Sequence, residues 1–372
     1  MSAPFSRLLA AGLAVSGLTA VSANGAASAD PVAASACTAP GGAQPATAAG
    51  AACRLADELE KGFVYPEQGK RYAAMLRANA AAGKYAGLSP DAAAEAMTAD
   101  LQAVAADGHL RVERLPEQPD DAPRGPGPRA DFPLLEHGGW IAPGIAFLRI
   151  NTFMRDPAQT AAVAKFMADH ADARAIVFDL RTHCGGGLDQ MDAIFPWLFG
   201  EETRLVTMAM RRSVEEEQGT PFGETPSLRL TSGTAQESVR EHWATPNADP
   251  RLRDAKVYLL TSRRTGSAAE HFALAMKHTG RATLVGSNTA GANHFGGGVE
   301  LTGGFGAFVP VGRTYDPVTG RDWEGAGVAP DIAVPPEDAL AWVLRDLGLD
   351  AARAQELSAS HAPTLPMVRR KA

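Results

Sequence analysis

Ala175-Ile176-Val177-Phe178-Asp179-Leu180 runs without interruption into Arg181-Thr182-His183-Cys184-Gly185-Gly186-Gly187. A short apolar run of this kind reads as a strand buried on both faces. The glycine triplet then reads as a sharp turn at the strand's C-terminal end, where open α/β sheets place ligand sites. Working outward, residues 145–150 and 256–262 form further apolar runs, as do 282–286 and 307–311. Asp156-Pro157 opens a helix carrying Val163, Phe166 and Met167, and residues 191–199 and 267–277 read as helices. Leu340, Val343, Leu344 and Leu347 mark a closing helix. Strands alternating with helices predict an α/β core, a mixed sheet covered by helices. Residues 201–250 are less regular, with Glu215 to Glu217 as a solvated acidic surface, and there is no internal repeat.

Residues 54–106 read as helical, with Leu55, Leu59 and Phe63 at helical spacing before Pro66 stops the run. Ser89-Pro90 is an N-cap followed by Pro at the first helical position, ahead of Met97, Leu101 and Val104. Asp107-Gly108 ends that helix and His109 begins a short extended run to Val112. The expected organisation is a signal peptide at 1–29, a Gly/Ala/Pro-rich leader at 30–53 and a small helical subdomain at 54–115. A linker at 116–137, the α/β core at 138–350 and a mobile tail at 351–372 follow.

Composition narrows the class. With 45% hydrophobic and 21% charged residues over 372 positions, the chain can bury a sizeable core and is not disordered as a whole. A net charge of −7 argues against nucleic acid as a partner. Arg7, an apolar stretch at 8–23 and Ala27-Ser28-Ala29 form the pattern of a cleaved export signal, and no later run is long enough for a stable membrane span. The expected location is therefore secreted or periplasmic. Export makes Cys37 and Cys53 a possible disulfide pair and leaves Cys184 unmatched. No CxxC, HExxH or EF-hand spacing occurs, so the sequence offers no metal site and implies no cofactor.

Two segments can carry chemistry. Gly185-Gly186-Gly187 can bring backbone N–H groups close to a ligand oxygen, although without GxxxxGK[ST] it is no phosphate loop and can equally be an ordinary turn. In Thr265-Gly266-Ser267-Ala268-Ala269-Glu270, Ser267 follows a buried strand and opens a helix, which suits either a nucleophile or a plain N-cap. A nucleophilic serine needs a base. Lys277 lies well along the same helix and the next lysine is Lys371, so the base is sought among nine histidines. His109, His183 and His294 remain, and residue chemistry alone does not choose among them.

Residues 176–181 running into Gly185-Gly186-Gly187, and Tyr258-Leu259-Leu260-Thr261-Ser262 running into Ser267-Ala268-Ala269-Glu270, resemble the tail-specific (C-terminal-processing) serine peptidases. Arg281-Ala282-Thr283-Leu284-Val285-Gly286, Gly327-Val328-Ala329-Pro330-Asp331 and Asp107-Gly108-His109-Leu110-Arg111-Val112 extend the resemblance in the same order. The likeness is greatest to the subgroup related to interphotoreceptor retinoid-binding protein and the tricorn core peptidase. It implies a crotonase-like α/β core, Ser267 as nucleophile, His109 as general base and Glu324 as the acidic member. It also implies an oxyanion hole from the backbone of Ala268, Gly185 and Gly186. Apart from the resemblance, His183 and Cys184, beside the glycine turn, and His294 are candidate pocket residues. Two positions depart from the pattern: Ala292 stands where lysine-dyad members carry lysine, and Gly108 replaces a serine before the histidine. No PDZ domain fits between Val112 and Gly138. The implied activity is an exported serine endopeptidase acting on peptides or unfolded proteins. A non-catalytic lipid or retinoid-like carrier, or an esterase or amidase of small substrates, are the alternatives, and oligomeric state is left open.

Overall fold

The computed structural model describes Cys37, residues 42–116 and residues 133–368. The expected signal peptide, part of the leader and most of the linker lie outside the described residues. The core sheet has the order β12-β9-β8-β4-β3-β2. It is built from β2 (Leu135–Ala142), β3 (Ile145–Ile150), β4 (Ala175–Asp179), β8 (Lys256–Thr261), β9 (Thr283–Gly286) and β12 (Ile332–Ala333). Only the β2–β3 pair is antiparallel, so the sheet is mixed as the sequence implied.

Side-chain alternation along β4 explains why its run is apolar throughout. Ile176 and Phe178 pack against α4 (Pro157–Asp169), α5 (Asp189–Leu198) and α7 (Ala268–His278), through Val163, Ile194 and Phe272. Ala175 and Val177 face α8 (Ala339–Asp346) and α9 (Ala351–Ser360), through Val343 and Leu357. Asp179 ends the strand between two buried guanidinium groups, with Arg149 Nε at 2.9 Å and Arg181 Nη2 at 2.8 Å. Burial alone raises a carboxyl's pKa; here the two arginines outweigh it and hold Asp179 below its ordinary value. The pair pins the strand end from which the glycine turn departs.

A second, antiparallel sheet was not foreseen. Residues 201–250 are not irregular but supply β5 (Thr203–Arg211), α6 (Arg212–Gln218), β6 (Leu228–Leu230) and β7 (Glu237–Ala244). With β1 (Arg111–Arg114), β10 (Phe295–Leu301) and β11 (Phe305–Tyr315) they form the order β1-β11-β5-β7-β6, β10 pairing with β11. Glu215 is half-buried against Arg240 rather than freely solvated. The N-terminal helices α1 (Ala48–Gly62), α2 (Pro66–Ala81) and α3 (Pro90–Val104) cover this sheet, Leu59, Phe63 and Leu101 meeting Phe305 and Val309. They share a core with it instead of standing as a separate subdomain beginning at residue 54. Cys53 in α1 is disulfide-bonded to Cys37, with Cα atoms 5.5 Å apart.

The expected mobile tail is corrected as well. Ala354 and Leu357 of α9 are buried. Beyond it, Thr364 Oγ1 donates to Glu136 Oε1 at 2.7 Å, and Ser262 Oγ donates to the Met367 carbonyl at 2.7 Å.

Candidate active site

The glycine turn and the Ser267 turn are packed onto each other. Gly185 and Gly186 have φ of 112° and 131°, which side-chain-bearing residues rarely adopt. A Cβ on Gly186 would lie 1.8 Å from the Phe153 carbonyl oxygen, and one on Gly185 would lie 2.7 Å from Ser267 Cβ. The turn therefore requires glycine for both conformation and space. Thr265 Oγ1 donates to the Leu180 carbonyl at 2.7 Å, and the Gly266 N–H donates to the His183 carbonyl at 3.1 Å, so the serine turn is stitched to the end of β4.

Ser267 occupies the N-cap position of α7 with φ 56° and ψ −121°. A positive φ at a residue with a side chain is uncommon, and such backbone strain is concentrated at functional sites. The turn is held by Glu270, whose side chain is fully buried. Its Oε2 accepts the N–H groups of Ser267 (2.9 Å) and Ala292 (2.8 Å), and its Oε1 accepts from Thr289 Oγ1 (2.5 Å) and the Gly291 N–H (2.7 Å). Burial nonetheless pushes the Glu270 carboxyl above its usual range. Glu270 was part of the quoted motif but received no role from the sequence. Its only signal was the Ser-x-x-Glu spacing of a capping box.

The Gly185 N–H, expected as an oxyanion donor, donates to His183 Nδ1 at 3.0 Å in this structure. Among the described residues the N–H groups of Gly186 and Ala268 make no hydrogen bond, and they are the donors left to meet an oxyanion. His183 does not line a pocket: it is wholly buried beneath the turn, and burial lowers its pKa to about 3, leaving a neutral ring. Cys184 is an exposed free thiol on the same turn.

Segment 289–294 carries the connection across to the histidines. Ala292 is fully buried, and a Cβ on Gly108 would meet its Cα at 2.9 Å and the Gly291 carbonyl oxygen at 3.0 Å. Backbone packs flat on backbone here, which explains why glycine stands where the family pattern has serine. Asp107 Oδ1 accepts the N–H groups of His109 and Leu110, both at 2.8 Å, fixing the turn that presents His109. The His109 ring stacks on Phe308 with centroids 5.2 Å apart and is 8% exposed. Glu324 takes the Gly108 N–H at 2.6 Å on Oε1, and the N–H groups of Asn293 (2.6 Å) and His294 (3.2 Å) on Oε2. Glu324 thus grips the histidine turn through its backbone. Among the described residues, the Ser267 hydroxyl and the His109 ring are not hydrogen-bonded to each other.

His294, expected as a candidate base or pocket residue, lies at a charged junction. Its Nδ1 donates to Asp107 Oδ2 at 2.6 Å and lies 3.8 Å from Glu324 Oε2. Desolvation opposes charge on the ring, but the Asp107 bond and charge outweigh it and raise the His294 pKa; Asp107 is correspondingly lowered against its own burial. Desolvation raises Glu324, offset in part by His294. Donor atoms of Asp107, His294 and Glu324 lie within 4.8 Å of one another, a spacing that also suits a metal. The carboxylate lone pairs receive five backbone N–H donors and the His294 proton, and His294 Nε2 is buried without a hydrogen-bond partner among the described residues. It opens onto a pocket of about 370 Å³ walled by Phe63, Tyr65 and Tyr72.

The sequence profile of peptidase family S41 matches residues 144–334. Among solved structures, the chain is similar to the photosystem II D1 C-terminal processing protease, at 24% identity and a TM-score of 0.41 over 57% of this chain and 48% of that one. It is also similar to a putative peptidase from Parabacteroides merdae ATCC 43184, at 18% identity and a TM-score of 0.42 over 66% and 65% of the two chains. A lipoprotein from Streptococcus agalactiae matches at 13% identity and a TM-score of 0.48, over 81% and 97%. The alignment spans about half the length of the processing protease.

Proposed function

The chain belongs to peptidase family S41, and from that premise we propose that it is a serine-type endopeptidase cleaving peptide bonds through an acyl-enzyme at Ser267. The observation that carries this reading is the placement of Ser267. It sits at the N-terminus of α7 with φ 56°, so close to Gly185 that no side chain fits between them. His109 takes the hydroxyl proton as Ser267 attacks the scissile carbonyl and returns it to the leaving amine. The N–H groups of Ala268 and Gly186 hold the oxyanion, each such donor being worth roughly 10²–10³ in rate. Glu324 and Asp107 fix the His109 turn. Ser267→Ala abolishes cleavage of denatured casein in this account; cleavage at the wild-type rate by that variant would remove its basis.

One observation favours a second assignment of the base. The Asp107–His294 pair has the carboxylate–imidazole form that orients a catalytic histidine. Against it, His294 opens onto the pocket walled by Phe63, Tyr65 and Tyr72, and Ser267 is not among the described residues lining that pocket. We assign His109 as base and His294 as the cation that anchors Asp107 and Glu324. His109→Ala should eliminate turnover, whereas His294→Asn should retain part of it.

We further propose that the protein acts outside the cytoplasm on peptides or unfolded proteins. The Cys37–Cys53 disulfide supports an oxidising compartment, where such bonds persist. Fractionation of expressing cells, with the protein recovered from the exported fraction and beginning near Asp30, checks this.

A further inference from the structure

A second hydrogen-bonded chain runs through the molecule, sharing no residue with the Asp107–His294 pair. His271, in the first turn of α7 and 3% exposed, places Nε2 2.8 Å from His242 Nδ1. His242, wholly buried on β7, places Nε2 2.8 Å from Asp192 Oδ1. Asp192 Oδ2 accepts in turn from Ser227 Oγ at 2.8 Å and Thr225 Oγ1 at 3.3 Å. Neither histidine was among the candidates kept from the sequence, in which β7 was not visible as a strand.

The carboxylate at one end sets the direction of the protons. Asp192 accepts, so His242 carries a proton on Nε2, and in the neutral ring its Nδ1 is the acceptor. His271 must then carry its proton on Nε2 and leave Nδ1 bare. Burial, the largest cause, holds the His271 ring neutral with a pKa well below the ordinary value. Phe195 shields the chain, its ring centroid 5.6 Å from that of His242 and 5.2 Å from that of Phe272.

The two ends occupy matching places. The Asp192 N–H donates to the Leu188 carbonyl at 3.0 Å, in the first turn of the helix that follows Gly185-Gly186-Gly187. The His271 N–H donates to the Ser267 carbonyl at 3.1 Å, closing the first turn of the helix that Ser267 opens. The chain therefore links the helix behind the glycine turn to the helix behind the serine, with a strand of the second sheet as the middle member.

We propose that Asp192, His242 and His271 are positioning residues that hold Ser267 in register with the oxyanion donors. The proposal rests on the reading of Ser267 as nucleophile. A carboxylate at the end makes the arrangement directional: with both rings neutral, one tautomer of each satisfies all the bonds, and the opposite tautomer of either ring breaks at least one. A purely packed contact would lack that property. A misregistered Ser267 would still bind substrate, so the loss falls on turnover.

The test uses the full chain, with Asp192→Asn as the mild variant and His242→Phe as the stronger one. Turnover of fluorescein-labelled denatured casein is normalised to the fraction of molecules labelled by a fluorophosphonate, which removes any effect of misfolded protein. The expected result is a kcat per labelled site lowered about tenfold in Asp192→Asn, with KM within about twofold of wild type. In spectra of ¹⁵N-histidine protein, the wild type should show His271 protonated at Nε2 only, and Asp192→Asn should show mixed tautomers. Unchanged kcat per labelled site in both variants, or a rise in KM alone, would overturn the proposal. Ser267→Ala run in parallel separates the two claims. If that variant still cleaves, the nucleophile reading fails; if it is inactive while Asp192→Asn matches wild type, only the positioning chain fails.

Discussion

The Cβ that Gly108 lacks would lie 2.9 Å from the Cα of Ala292, so the turn presenting His109 rests directly on the segment that Glu270 ties to Ser267. Restoring the serine of the family pattern should therefore harm the fold and the proposed activity. Gly108→Ser is expected to lower the melting temperature and reduce turnover at least tenfold by lifting the His109 turn. Thermal melts and casein cleavage check this together, and wild-type values in both would show that the turn has room to spare.

The Asp107–His294 ion pair predicts a pH window for stability. His294 has a raised pKa in the folded protein, so its contribution is complete below its unfolded value of about 6.5 and fades as pH rises through the folded one. Asp107 is lowered, so its contribution is present above about 3.9 and is lost as pH falls through the folded value. Both act together between about pH 4 and 6.5. His294→Asn should cost about 3 kcal/mol in that window, in the range for breaking a buried pair, and less at pH 9. Chemical denaturation across pH measures the gap; a gap independent of pH would contradict the pairing.

Glu270→Gln replaces an acceptor of four hydrogen bonds with a group that must turn an NH₂ toward N–H donors. Leaving buried donors unmatched, with the charge gone, should cost about 2–4 kcal/mol. Fluorophosphonate labelling of the folded variant should slow at least tenfold, because Ser267 loses the bond that fixes its strained turn. Labelling at the wild-type rate would show that the φ of 56° is maintained by other contacts.

What was legible in the sequence follows from where each element finds its partners. Parallel strands such as β4 and β8 are apolar along their length because both faces are covered, and turn residues bracket them. Ser267 and the glycine turn were visible for the same reason, since each terminates such a run. The antiparallel sheet was not legible between residues 201 and 250. Its strands mix polar and apolar positions, as in the partly exposed β7, and β5 pairs with β11 about a hundred residues away. The Asp107–His294 bond joins positions 187 apart, so no local spacing announces it. The tail was misread because Leu357 is the one large apolar residue of α9; with Ala354 it suffices to dock the helix.

The central claim is that Ser267 is the nucleophile, and intact-protein mass spectrometry after fluorophosphonate treatment tests it most directly. The account predicts one adduct per chain, mapped to Ser267 and absent from Ser267→Ala. An adduct of equal yield in Ser267→Ala, or one mapped to another residue, would contradict it.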